Sequence, residues 1–216
     1  MEKEYKLIPT TFFWMFLGLL GTAIISIYAY KTDLCYNMIR DGFFQVILII
    51  ELAVVIIFSL LFKKLPPLVV TILYFIYSMI NGLTLSTIFY VFELQSIILL
   101  FVATAVIFAL LGLYGYITKN DLTNWGPILT TFLIVGLIVS IINLFLGNTM
   151  LDLILDWVIL IVFFGTTMYD INKIKMLSTD ESLNQDKIHI YCAMQLYLDF
   201  INIFIRMLSI FGKRRD

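Results

Sequence analysis

The chain has 216 residues, 62% of them hydrophobic and only 13% charged, with a net charge of −1. A soluble domain is about 45–50% apolar and about 25% charged, so this composition argues against a soluble enzyme or binding module and for a polytopic membrane protein. The charges sit in short loops and tails rather than in a basic patch, which argues against a nucleic-acid partner. Two cysteines and a single histidine suggest no disulfide framework and no zinc or haem site.

A short polar segment precedes the first apolar run, residues 11–30, which is too long for a signal peptide and lacks a small-residue cleavage site. We read it as an uncleaved span. A second span covers residues 43–62 and holds Glu51. Lys63 and Lys64 close it, and Pro66 and Pro67 open the third, residues 68–92. A proline costs nothing in a first helical turn, where the amide has no partner to lose. The third span carries Ser78, Asn81, Thr84 and Ser86 around Gly82, residue types that let membrane helices approach closely and hydrogen-bond.

Spans at residues 96–117, 127–146 and 151–169 follow, the last closed by Asp170. Asp152 and Asp156 lie in its first turns, where a carboxylate favours the helix N-terminus. After a polar loop comes the seventh span, residues 188–211. The expectation is an all-α membrane protein, one domain over residues 1–216, with seven transmembrane helices joined by short loops. Lys3, Lys6, Lys63, Lys64, Lys119, Lys173, Lys175 and Lys187 would share one side. They outweigh Lys31, Arg40 and the tail Lys213 to Arg215 on the other, so the positive-inside rule favours a cytoplasmic N-terminus. The basic tail pulls the other way, and a seventh segment that re-enters without crossing would remove the conflict.

The seventh span organises the rest. Gln195, Asp199, Asn202 and Arg206 recur at steps of four, three and four, which puts them on one helical face. A carboxylate facing lipid costs several kcal/mol. That face must look into protein or water, which makes the span a central helix wrapped by others. Intramembrane ionisable residues mark ion or proton paths, so Asp199 is the main functional candidate. Its structural alternative is a buried hydrogen bond or an intrahelical pairing with Arg206.

Asp170 alone reads equally as a solvated helix end. Antiparallel neighbouring helices would, however, bring it to Asp199, and two carboxyl groups that close share a proton and titrate as one unit. Singly protonated, the pair holds two helices together; doubly ionised, it repels. It also offers hard oxygens to calcium. Glu51 is either a further site on a cation path or a helix-to-helix hydrogen bond. Asn202 and Arg206 support the path, and Arg206 either neutralises an acid or, as we favour, snorkels to the interface. His189 reads as interfacial.

LYLDFINIF (196–204), MYDINKI (168–174), NGLTLSTIF (81–89) and GYITKNDLTNWG (115–126) together resemble the Bax inhibitor-1 family, also called TMBIM or YetJ-like. The likeness runs in order from the second span to the C-terminus. It implies six helices around a central C-terminal one and a pH-sensitive calcium leak. By motif, Asp170 and Asp199 would form the family's di-aspartyl pH sensor, and Glu51 its acidic position in the second span. Some members have a basic latch partner at the end of that span. Here LLFKKLPP offers Lys63 or Lys64, while the aligned position is apolar. Short loops and a minimal tail look prokaryotic, implying the plasma membrane.

We therefore expect a pH-gated calcium leak channel that is not an enzyme, with no cofactor, and with calcium ions, protons and the bilayer as its partners. A proton-coupled secondary transporter is the alternative, though internal repeats and Gly/Pro-broken helices are not evident. An intramembrane aspartyl protease fits Tyr169-Asp170 but lacks GxGD, since Asp199 follows Leu196-Tyr197-Leu198.

Overall fold

A bilayer leaves no water to satisfy backbone groups, so a chain this apolar must close its hydrogen bonds within helices. The computed structural model describes residues 4–62, 64–178 and 185–215. Among them are α1 (Glu4–Lys31), α2 (Leu34–Arg40), α3 (Phe44–Leu61), α4 (Pro67–Leu85), α5 (Ile88–Val91), α6 (Leu94–Ile117), α7 (Trp125–Leu146), α8 (Thr149–Leu177) and α9 (Gln185–Phe211). Among the described residues, seven stretches are long and apolar enough to cross a membrane, α4 and α5 together forming one of them.

Three features differ from the sequence expectation. The first loop contains a short helix, α2. The third span is broken at Ser86 and Thr87, whose hydroxyls turn back onto the carbonyls of Leu83 and Thr84. The sixth span does not stop at Tyr169: α8 continues to Leu177, about two turns further, so Asp170 is a residue of the helix interior.

The chain forms two compact units, the first holding α1 to α5 and α9 up to Tyr197, the second α6 to α8 and α9 from Leu198. In the first unit α4 packs on α1 and α3. A Cβ on Gly82 would lie 2.7 Å from the Thr22 carbonyl oxygen, so glycine is what lets α4 meet α1 at this distance. Tyr197 sits edge-on between Tyr74 and Tyr77, at 6.0 and 5.9 Å. His189 stacks on Trp14, and Tyr191 on Phe62. Arg215 donates to the Tyr30 hydroxyl and the Phe89 carbonyl, both at 2.9 Å.

In the second unit α8 packs on α6 and α7. Gly115 allows the α6 contact, because a Cβ there would lie 2.5 Å from the Met168 carbonyl oxygen. The α7–α8 turn follows from its residues: Gly147 adopts φ +63° to end α7, and Asn148 caps α8 by accepting from the amides of Met150 and Leu151. Phe101, Phe108, Phe200 and Phe204 interlock edge-on between α6 and α9. Lys213 pairs with Glu93 at 2.6 Å and closes the tail onto the start of α6. Of the spans, α9 has 67% of its apolar window buried, against 6% for α3. Of these two, α9 is mostly covered by the fold and α3 mostly uncovered.

A candidate carboxyl site on α8 and α9

The second unit gathers the intramembrane acids that α8 and α9 contribute. Asp170 and Asp199 are both buried. The Thr166 hydroxyl donates to Asp199 Oδ1 at 3.1 Å, and Thr166 and Asp170 lie four residues apart on one face of α8. The two carboxyl groups are near enough to act on each other electrostatically. Asp199 Oδ2 is buried without a hydrogen-bond partner. Lys173, one turn beyond Asp170, is its charged neighbour and lies over the Tyr169 ring. Neither α6 nor α7 carries an acidic or basic side chain.

Thr166 gives this site two settings. Its single proton can go to Asp199 or to the Phe163 carbonyl, which is 3.0 Å away. An ionised Asp199 takes the hydroxyl proton; a protonated Asp199 can instead donate to the hydroxyl oxygen, which then bonds Phe163. The hydrogen bond between α8 and α9 at this level thus reverses direction with the protonation state of Asp199.

The rest of the α9 stripe does not converge on this pair. Asn202 donates to the Leu198 carbonyl of its own helix at 2.8 Å. Arg206 does not snorkel: it forms an ion pair with Asp156, whose other oxygen accepts from the Ser209 hydroxyl. Asp156 is therefore a buried partner of α9 rather than a charge serving the α8 N-terminus. Asp152 does lie in the first turn of α8 and accepts from the Asn143 amide.

Glu51 belongs to the first unit, where it accepts a hydrogen bond from Asn81 across α3 and α4. Asn81 in turn accepts from the Tyr197 hydroxyl at 2.9 Å, and that hydroxyl lies 2.6 Å from the Thr22 hydroxyl of α1. The helix-to-helix bond that was one of its two sequence readings is thus present. Lys64 is exposed beyond α3 and forms no ion pair among the described residues; Lys63 lies outside them. No cluster of three or more His, Cys, Asp or Glu residues able to hold a metal occurs among the described residues.

Sequence reasoning missed Thr166, Tyr197, Asn172 and the Asp156–Ser209 contact. Asn172 accepts from the Leu122 amide at 3.2 Å and donates to the carbonyls of Gly115 and Asn120. It ties the segment after α6 to α8 two residues past Asp170. That Asn172 lies in one recognised motif and its partners in another was the available signal.

This geometry defines a polytopic α-helical membrane protein with buried carboxyl groups on two of its helices. The chain belongs to the family described as Inhibitor of apoptosis-promoting Bax1, matched over residues 5–216. It is 39% identical over 208 residues to the Inner membrane protein YbhL of Escherichia coli strain K12, covering 94% of this chain and 89% of that one. An uncharacterized protein of Borreliella burgdorferi is 32% identical over 230 residues, covering 100% and 97%. The protein RP147 of Rickettsia prowazekii is 31% identical over 207 residues, covering 94% and 87%.

Proposed function

We propose that this protein is a pH-sensitive calcium leak channel of the inner membrane, gated by proton sharing between Asp170 and Asp199. The observation that carries the proposal is the burial of both carboxyl groups on facing helices, with Arg206 engaged by Asp156 rather than by either of them. The name of the Escherichia coli relative supports the inner-membrane location. A proton held by the pair latches α8 to α9. Its loss leaves two like charges in a low-dielectric site, where they repel and shift the population toward an open state. Calcium prefers hard oxygens and takes six to eight of them when held in a resident cage. Two carboxyl groups and the Thr166 hydroxyl supply fewer, which suits an ion that keeps part of its water and passes on.

The role is non-enzymatic and takes no cofactor: protons and calcium are the ligands, and the bilayer is the solvent. A proton-coupled transporter is the second reading, and the break at Ser86 and Thr87 favours it, because discontinuous spans are a transporter feature. Purified protein in liposomes separates the two. A channel passes calcium down its own gradient with no matched proton flux, whereas a transporter couples the two ions in fixed ratio. Simultaneous calcium and pH dyes read both, and liposomes that pass no calcium at any pH would reject the channel.

A further inference from the structure

Within the second unit α8 and α9 run antiparallel and touch through polar groups at two levels. At one level Thr166 meets Asp199; at the other Asp156 meets Arg206 and Ser209. The levels are separated by ten residues on α8 and seven on α9, or about 15 and 10 Å along the axes. We propose that the Asp156–Arg206–Ser209 contact is a fixed pin that holds one end of this helix pair while the Asp170–Asp199 end opens. The three residues are thus positioning residues for the carboxyl pair. The proposal rests on the reading of that pair as the sensor.

The two contacts differ in what can undo them. A guanidinium presents its donors in a fixed fork that matches a carboxylate. Both oxygens of Asp156 are occupied, one by the guanidinium and one by the Ser209 hydroxyl, so the cluster is neutral overall and charge-assisted. Breaking it would leave a guanidinium and a carboxylate to be solvated separately within the membrane. The Asp199 contact is a single hydroxyl bond whose proton has a second acceptor, the Phe163 carbonyl. One joint is therefore held by two charge-assisted bonds and the other by a single exchangeable one.

The surroundings of the pin add no competing titration. On α8 its acidic neighbour one turn back is Asp152, engaged by Asn143. Between Leu198 and Phe211, α9 carries no ionisable group besides Asp199 and Arg206. Neither α6 nor α7 bears an acidic or basic side chain, and the α6 tyrosines, Tyr114 and Tyr116, are exposed. Glu93 and Lys213, beyond the helix ends, neutralise each other.

Distances between spin labels on full-length protein in liposomes test this, in a background lacking Cys35 and Cys192. One label pair, at positions 153 and 211, reports the pin end; another, at 176 and 198, reports the sensor end. On going from about pH 5 to about pH 8 the sensor-end distance changes and the pin-end distance stays fixed. Arg206→Gln frees the pin end to move as well and weakens the pH response of calcium flux about tenfold, while Arg206→Lys keeps most of both. If both ends move together in the wild type, the pin is wrong while the sensor stands. If neither moves, the pin falls together with the carboxyl reading. An Arg206→Gln protein with the wild-type pH response would overturn the pin and leave the cluster a purely structural contact.

Discussion

The hydroxyl of Thr166 donates to Asp199 Oδ1 at 3.1 Å, one helical turn before Asp170 on the same face of α8. This bond sets Asp199 against the turn of α8 that precedes Asp170, so two buried acids 29 residues apart in sequence stand on contacting helices.

Two residues before Asp199 on the same helix, Tyr197 serves a different set of partners. Its hydroxyl bridges Asn81 and Thr22 in the first unit, and Asn81 holds Glu51. Tyr197→Phe leaves the buried Asn81 oxygen without its donor, which costs about 1–3 kcal/mol. Thermal unfolding in detergent should show that loss, while the pH dependence of flux keeps its wild-type midpoint. A moved midpoint would make this hydrogen-bond chain part of the sensor.

Asn172 fixes the end of α6 and the segment after it through three hydrogen bonds, one to Gly115 and two to Asn120 and Leu122. Asn172→Ala removes them and loosens residues 118–124. Hydrogen exchange should report faster exchange at the Leu122 amide by about tenfold, as a lost bond of about 1 kcal/mol implies. Unchanged protection there would mean that the segment is held by other contacts.

Gly115 is a steric requirement of the α6–α8 contact. Its missing Cβ would stand 2.5 Å from a backbone oxygen, which no rotamer change relieves. Gly115→Val forces the helices apart and should destabilise the protein by about 1–3 kcal/mol. Gly42 has open space around its missing Cβ, but its φ of +79° strains any other residue, so Gly42→Ala costs about 1 kcal/mol for a different reason. Equal stability of the Gly115 variant and wild type would refute the close contact.

Seven spans and the intramembrane acids were legible in the sequence because both signals are local: the length of an apolar run, and a charge within it. The polar partners around those acids were not. Arg206 looked like a snorkelling side chain, and only the antiparallel register of α8 and α9 brings Asp156 opposite it. Thr166 and Tyr197 are ordinary residues of membrane helices, and their partners depend on packing that periodicity does not encode. The end of α8 was misplaced because hydropathy falls after Tyr169. Helix formation depends on backbone propensity, and the Ile, Lys, Met and Leu residues that follow sustain it. Ile171, Asn172 and Ile174 are buried along that continuation, so one face still packs.

A loop carboxylate provides the contrast for the pH argument. Asp121 accepts hydrogen bonds from the Thr123 hydroxyl and backbone amide, which hold its pKa below the usual carboxylate value. A lowered native pKa gives stability that is present above the unfolded value of about 4 and is lost as pH falls through the native one. From about pH 5 to about pH 8 Asp121 therefore stays ionised and contributes nothing to any change. Asp121→Asn should leave the pH profile of calcium flux unmoved over that window. A shifted profile would place part of the pH response in this loop.

The central claim is that Asp170 and Asp199 act as one proton-sharing sensor, and a double-mutant cycle on calcium flux tests it most directly. Flux into liposomes is followed from about pH 5 to about pH 8 for wild type, Asp170→Asn, Asp199→Asn and the double variant. Residues that share a proton are non-additive. Each single substitution should remove the pH dependence, and the double should add nothing further. Flux whose pH dependence survives both substitutions, or effects of the two that simply add, would contradict the shared sensor.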